Sequence, residues 1–267
     1  TLLRRFAGRM DKEKIPVSKF QTIVPLAMLS KLKADPHLVN TLFDKWVAGK
    51  LRGKQDYEVF IGWSGMSLRA LRQAKQAGKI TVLERGSAHI QFQDDILREE
   101  FEKFGLPFRI DRRTVEQELE EYDEVDFISI PSEFVRQSFL AHGVPAEKLV
   151  VNPYGSSTYF QNAVPVEAEK GKFRVLYLGS LIIRKGLIYM FQALEQLNIP
   201  PEKLEVWFIG KVDEEMRSTV EKYARPNWKF FGHLNHYDLP GYLAACDVGI
   251  QPSLEDGYGM TILQMLA

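Results

Sequence analysis

A chain of 267 residues that is 45% hydrophobic and 26% charged has the proportions of one large or two modest globular α/β domains, which excludes a disordered chain or a coiled coil. No stretch approaches the roughly 20 apolar residues that span a bilayer and no signal peptide opens the sequence, so a soluble or at most peripheral protein is expected. The net formal charge is zero, yet Lys and Arg outnumber Asp and Glu by 16 to 6 in residues 1–80 and are outnumbered 19 to 29 after them. Such an asymmetry suggests a basic face meeting something anionic, lipid headgroups or a phosphorylated acceptor, although solvated helix faces explain it equally well. The cations are scattered through apolar helical segments with no recognition motif, which argues against nucleic acid. The one cysteine, Cys246, cannot form an internal disulfide, so a reducing compartment and a buried strand thiol are expected.

The first segment is helical in pattern and offers no opening strand with a glycine-rich turn. From Tyr57 onward short apolar runs alternate with amphipathic segments, as in chains that lay parallel strands against helices. Strands are predicted near 57–61, 80–84, 126–130 and 149–152, and a second series near 173–178, 204–209, 228–231 and 246–251. The helix after Gly186 shows the periodicity plainly: Leu187, Met190, Phe191, Leu194 and Leu197 recur at steps of three and four. Ser132 reads as an N-cap and Gly143 as the residue that closes the same helix. Between the two strand series lies a polar, proline- and glycine-containing stretch without periodicity. The expected division is therefore 1–163, a linker 164–171, and 172–267. The last helix stops at Ala267 with no capping signal and the first residue is Thr1, so both ends look cut.

The chemistry is concentrated in two loops. Directly after the strand ending at Gln251 comes Pro252-Ser-Leu-Glu-Asp-Gly-Tyr-Gly-Met-Thr-Ile-Leu-Gln-Met-Leu-Ala267, which places a carboxylate, a glycine-flanked turn and a helix start at a strand's carboxyl end, where α/β sheets bind ligands. Gly257 and Gly259 allow close backbone approach, and the amides near Tyr258, Gly259, Met260 and Thr261 suit a diphosphate. Asp256 can accept hydrogen bonds from sugar hydroxyls; Gln264, about two turns further, can bond a ribose diol. In Leu176-Tyr-Leu-Gly-Ser-Leu-Ile-Ile-Arg-Lys-Gly186 a strand ends at Gly179 and Ser180, and Arg184 and Lys185 sit before a helix, where pyrophosphate charge can be neutralised.

With these pieces in order, the series Pro131-Ser-Glu-Phe-Val-Arg-Gln-Ser-Phe139, Val151-Asn-Pro-Tyr-Gly155, Tyr177–Ser180, Arg184–Gly186, Phe231-Gly232 and Pro252–Gly259 resembles the C-terminal two-thirds of the family 4 retaining glycosyltransferases. The resemblance covers roughly residues 80–267. It implies a GT-B architecture, two Rossmann-like domains facing a cleft, with the C-terminal one incomplete here. The N-terminal domain would take the acceptor, and the C-terminal one a nucleotide-sugar at Gly179, Ser180, Gly257, Tyr258, Gly259, Met260, Thr261 and Gln264. It also implies transfer with retention, no metal and no separate cofactor, with Asp256, Arg184, Lys185 and His89 as catalytic groups. The leaving diphosphate would be stabilised by Arg184, Lys185 and the amides near Gly259.

Departures accompany the matches. The family's two glutamates, with seven residues between them, appear as Asp256 and Gln264, with Glu255 just before the first, and the arginine often found after the strand-end glycine is Ser180. His89, in Arg85-Gly-Ser-Ala-His-Ile90, stands where the family sets a polar group against the donor sugar, though a lone histidine after a strand is also a common structural hydrogen-bonder. The turn Ile61-Gly-Trp-Ser-Gly-Met66 could shape the acceptor pocket, with Trp63 either a wall or plain packing. The acidic run Glu116–Glu124 reads as a solvated helix face. The leading expectation is a retaining hexosyltransferase using a nucleotide diphosphate sugar, a UDP-sugar before others, and a glycan or lipid-linked acceptor, in the cytoplasm or peripheral on the membrane's cytoplasmic face, with an anionic surface contacted through residues 1–80. The rivals are a degenerate nucleotide-binding or interaction module of the same fold, and a nucleotide-sugar epimerase.

Overall fold

The computed structural model describes residues 34–161, 163–197 and 199–267, together with Gln21, Ile23, Leu26 and Leu32. Helix α1 (Pro36–Leu51) opens on Asp35, whose side chain accepts from the His37 amide, with proline in the first turn, where its missing N–H costs nothing. A first unit then alternates β1 (Val59–Trp63), α2 (Leu68–Gln76), β2 (Ile80–Glu84), α3 (Ile90–Lys103), α4 (Arg112–Glu124), β3 (Phe127–Ile130), α5 (Glu133–Ala141) and β4 (Leu149–Val151). A second unit follows with β5 (Phe173–Leu178), α6 (Leu187–Gln196), β6 (Leu204–Ile209), α7 (Arg217–Tyr223), β7 (Trp228–Gly232), α8 (Leu239–Ala244), β8 (Val248–Gly249) and α9 (Met260–Leu266). Each strand falls on or within about two residues of its predicted run. The exception is β8, which keeps only two residues of the run 246–251.

All strand pairings are parallel, but the two sheets differ in order. The first is β1-β2-β3-β4; the second is β7-β6-β5-β8. Right-handed crossovers taken always in one direction leave every helix on the same face, whereas a reversal sends the next helix to the other face. The cores follow that rule. In the first unit Phe60, Leu83, Ile128 and Leu149 meet Leu71, Ile90, Tyr122 and Phe139 in one cluster. The opposite face leaves Val59, Ile61, Trp63, Ile80 and Phe127 exposed. In the second unit Val175, Tyr177, Val206 and Phe208 pack on α6 and α7, while Leu176, Leu178, Trp207 and Ile209 pack on α8 across the sheet.

Helix α6 carries out the periodicity read from its sequence: Leu187, Met190, Phe191 and Leu194 are buried, each worth about 1.5–3 kcal/mol relative to exposure. Leu197 does not join them, because the helix ends at Gln196 and leaves Leu197 half exposed. Phe160, expected on the N-terminal side of the boundary, is buried with Val166 and Ala168 in the second unit's core, and the Val166 amide donates to the Gly241 carbonyl. Apolar area captured these residues where the sequence showed only a loop. Cys246 sits in that core too, next to β8 rather than in it, with burial pushing its thiol up to about 12. The acidic helix α4 is a solvated face only in part: Glu116, Glu120 and Asp123 are exposed, whereas Glu118 and Glu121 are buried. Glu121 accepts the Gly65 and Ser67 amides of the turn that leads into α2, whose own first-turn amides of Arg69 and Ala70 donate to Asp44. Glu118 pairs with buried Arg85 at 3.0 Å and accepts from Tyr122. Two partners brought from distant sequence turned these carboxylates inward.

Candidate functional site

The second sheet reverses direction between β5 and β8, and the loops after these two strands, 179–186 and 250–259, meet there. A ligand crevice outside the carboxyl ends of parallel strands opens at such a reversal, because the adjacent loops diverge to opposite faces. The first loop is held by glycines with specific jobs. A Cβ on Gly210 would lie 1.8 Å from the Gly179 carbonyl oxygen, so β5 and β6 leave the sheet in backbone contact. Gly186, at φ 64°, packs against Pro252, whose carbonyl oxygen a Cβ would meet at 2.0 Å. The Leu254 amide then donates to the Arg184 carbonyl, which ties the two loops together.

This brings Arg184, Lys185 and Asp256 into one place. Lys185 Nζ lies 2.5 Å from Asp256 Oδ2, and Asp256 Oδ1 accepts from the Gly259 amide. Burial works against the Asp256 charge, but the Lys185 ammonium and the Gly259 amide outweigh it and hold the carboxyl below its ordinary range. Gly259, left-handed at φ 62°, precedes α9. Thr261 Oγ1 donates to Gln251, whose amide donates to Ser253. Met260 is exposed, and Gln264 is half-buried one turn beyond it. Ser180 is exposed, its carbonyl accepting from the Tyr177 hydroxyl. A cleft of about 290 Å³ runs along this loop, with Asp256, Gly257, Tyr258 and Gly259 on one side and Ser132 and Phe134 of the first unit on the other.

Glu255, noted in the sequence only as the residue before Asp256, is held by contacts that its local sequence does not show. Fully buried, it accepts from the Ala88 amide and the Gln93 side chain of the first unit, and pairs with Arg184 at 2.7 Å. Arg184 also reaches the Glu255 carbonyl, and Ser87 Oγ at 3.4 Å. Gly257 abuts the first unit so tightly that a Cβ would lie 1.8 Å from the Gly86 carbonyl oxygen, and Ser132, the N-cap of α5, donates to the Gly257 carbonyl at 2.6 Å. No period or motif encodes contacts of this kind. In this state both cations are paired with carboxylates, so the four side chains carry no net formal charge.

His89 is not part of this constellation. It is the N-cap of α3, its ring nitrogen accepting from the Gln91 amide. The ring is 2% exposed, stacks on His142 at 4.3 Å and touches Tyr122 and Phe139. Burial, followed by the nearby charges of His142 and Arg85, pushes it down to about 3, so it stays neutral. The signal that could have found this was its position directly before an apolar helical period. Arg85 is likewise occupied, by Glu118, the Ala88 carbonyl and Gln93.

Residues 172–267 match a family model described as Glycosyl transferases group 1. The chain is 25% identical over 170 residues to the O-antigen chain mannosyltransferase B of Escherichia coli, a match that covers 58% of this chain and 45% of that protein. It is 20% identical over 98 residues to an uncharacterized 41.2 kDa protein in the cps region of Klebsiella pneumoniae, over 37% and 26%. It thus spans less than half the length of these curated relatives. Among solved structures it is similar to Anabaena Alr3699/HepE in complex with UDP and glucose, with a TM-score of 0.60 at 16% identity, covering 92% of this chain and 69% of that one. WaaG, a glycosyltransferase involved in lipopolysaccharide biosynthesis, gives 0.60 at 17%, over 87% and 63%. The fold is therefore GT-B.

Proposed function

We propose that this chain, whose residues 172–267 match the Glycosyl transferases group 1 model, moves a hexose, with retention, from a nucleotide diphosphate sugar to a glycan or lipid-linked acceptor. A uridine nucleotide is the preferred donor, in keeping with relatives of this fold that were solved with UDP and with UDP-glucose. The observation that carries the reading is the meeting of Arg184, Lys185, Asp256 and the Gly259 amide at the reversal of the second sheet. Charge builds on the diphosphate as the glycosidic bond breaks, so cations fixed at that point act on the transition state more than on the bound donor. Asp256 takes the donor sugar's hydroxyls, and Gln264 the ribose. Transfer needs no metal: turnover unchanged in the presence of a chelator is the expected result, and loss of turnover restored by a divalent ion would contradict it.

Calorimetric titration with uridine, guanosine and adenosine diphosphates tests the donor site. Binding of at least one, lost on replacing both Arg184 and Lys185 by Ala, is expected; no heat from any of them on folded protein refutes the proposal. The paired state of both cations favours a second reading, a binding module without turnover. That reading gains if activity appears only after Asp256→Glu and Gln264→Glu together.

We also propose that the basic N-terminal part contacts an anionic membrane surface. Residues 1–33 fall largely outside the described residues. Beyond them, Lys45, Arg52, Arg69 and Arg72 line a groove between α1 and α2, with Arg69 paired to Asp44 and Arg72 to Glu120 and Glu124. No helix of the described residues is long and apolar enough to cross a membrane. Co-sedimentation with acidic vesicles that declines as salt shortens the Debye length below about 10 Å is the expected outcome; salt-insensitive binding, or none, removes this contact.

A further inference from the structure

At the carboxyl end of the first sheet three side chains stand in a row. Trp63, Glu84 and Ser129 are register partners across β1, β2 and β3, and partners in register on parallel strands project to the same face. Indole, carboxylate and hydroxyl therefore lie side by side on the face that carries no helix among the described residues. Past β4, the chain brings Tyr154 to the same place. A Cβ on Gly86 would lie 3.0 Å from the Tyr154 hydroxyl oxygen and 3.4 Å from the Trp63 ring, so phenol and indole flank that short piece of backbone. The Tyr154 ring meets Tyr258 edge-on at 5.7 Å. Tyr258 belongs to the loop that carries Asp256, so the row borders the donor site without sharing its charged groups.

Its polar atoms lack partners. Ser129 is 4% exposed and its Oγ has no hydrogen bond among the described residues; the hydroxyls of Tyr154 and Ser156 are buried and equally orphaned. A buried hydroxyl without a partner costs stability, and such groups are rare unless something else binds them. Trp63, by contrast, is 50% exposed although it is among the largest apolar side chains in the unit. Burial first, and the Glu84 charge second, raise the Tyr154 phenol, which keeps it protonated and able to donate. Arg85, the nearest cation along the chain, is turned away onto Glu118 and Gln93.

Resting on the transferase reading above, we infer that this row is the acceptor subsite and that it takes an uncharged, hydroxyl-rich group, the end of a glycan, rather than a phosphate-bearing acceptor. The C–H face of a pyranose packs on the indole by dispersion. Its hydroxyls donate to Glu84 and exchange hydrogen bonds with Ser129 and Tyr154. A phosphate placed there would face the Glu84 carboxylate, whose charge repels it.

Saturation-transfer NMR on the full chain with UDP present tests this, using the methyl glycosides of glucose, galactose and mannose against the corresponding sugar 1-phosphates. Saturation should reach at least one methyl glycoside and none of the phosphates. Trp63→Ala should abolish it, and Tyr154→Phe and Ser129→Ala should each weaken binding about fivefold, the worth of one hydrogen bond. Their melting temperatures should not fall, because each removes an orphaned hydroxyl; a merely structural role predicts the reverse, lower melting and unchanged binding. Glu84→Gln should admit a sugar phosphate. Preference for the phosphates, silence from every methyl glycoside, or indifference to Trp63→Ala and Tyr154→Phe overturns the inference. UDP titration of the same samples is the separate arm: loss of UDP binding in the wild type defeats the donor reading, while the glycoside result still reports on the row.

Discussion

Both units contain four parallel strands, yet the first runs β1-β2-β3-β4 without reversal whereas the second turns back between β5 and β8. The reversal splits two neighbouring loops and opens a crevice, and Arg184, Lys185 and Asp256 occupy it. The sheet without a reversal offers instead a face left uncovered by the described residues and the side-chain row at its carboxyl end. Topology thus separates the loops that carry Arg184, Lys185 and Asp256 from the Trp63–Glu84–Ser129 row, and the two units are held against each other by Glu255, Gly257 and Ser132.

The sharpest way to break this division is to remove a charge from the reversal. Lys185→Ala should lower kcat about 100- to 1000-fold, the cost of losing one preorganised electrostatic donor, without changing the melting temperature by more than a few degrees. A comparable loss of stability with intact kcat would move Lys185 to a structural role. Next comes the seam between units. Glu255→Ala strips Arg184 of its carboxylate and orphans the Ala88 amide and Gln93, at a cost of about 2–4 kcal/mol, visible as a melting temperature lower by about 5–10 °C. Gly257→Ala drives a methyl into the Gly86 carbonyl and should cost about 1–3 kcal/mol while also lowering activity, since the same loop carries Asp256.

Smaller effects separate a structural residue from a catalytic one. His89→Asn keeps a cap acceptor and should leave kcat unchanged while costing about 1–2 kcal/mol in lost ring packing; a hundredfold fall in kcat would restore His89 to the catalytic set. Its protonation gives a second readout. The folded pKa, about 3, lies below the ordinary 6.5, so between these values the unfolded chain binds the proton and the folded one does not. Stability therefore rises with pH across that window, and at pH 5 the wild type should be about 2 kcal/mol less stable on this account than at neutral pH. His89→Asn should remove that slope; denaturant titrations at pH 5 and 7 measure it.

Strand positions and the two-unit α/β plan could be read from the sequence because parallel strands buried against helices leave short apolar runs, as in Phe173–Leu178 and Leu204–Ile209, whose every residue after Phe173 is buried. The two loops at the reversal could be read as well, since glycines, cations and a carboxylate stand beside strand ends. What could not be read depends on partners far away in the chain. The inward carboxylates Glu118 and Glu121 have helical spacing on an acidic helix, and only Arg85 and the amides of Gly65 and Ser67 explain their burial. Glu255 becomes a clasp through residues more than 160 positions earlier. His89 reads as a site residue from sequence because its aromatic neighbours Tyr122, Phe139 and His142 come from two other segments. The sequence alone puts Phe160 in the first unit and Val166 in the linker, because nothing local reveals the core that takes them.

The most direct measurement is a crystal structure of the protein soaked with a uridine diphosphate sugar. The account predicts the two phosphates at the reversal between β5 and β8, within hydrogen-bond reach of Arg184, Lys185 and the backbone at Gly259, with the hexose turned toward Asp256 and the first unit. Phosphates bound elsewhere on the molecule, with Lys185 still paired to Asp256 and the crevice empty, would contradict it.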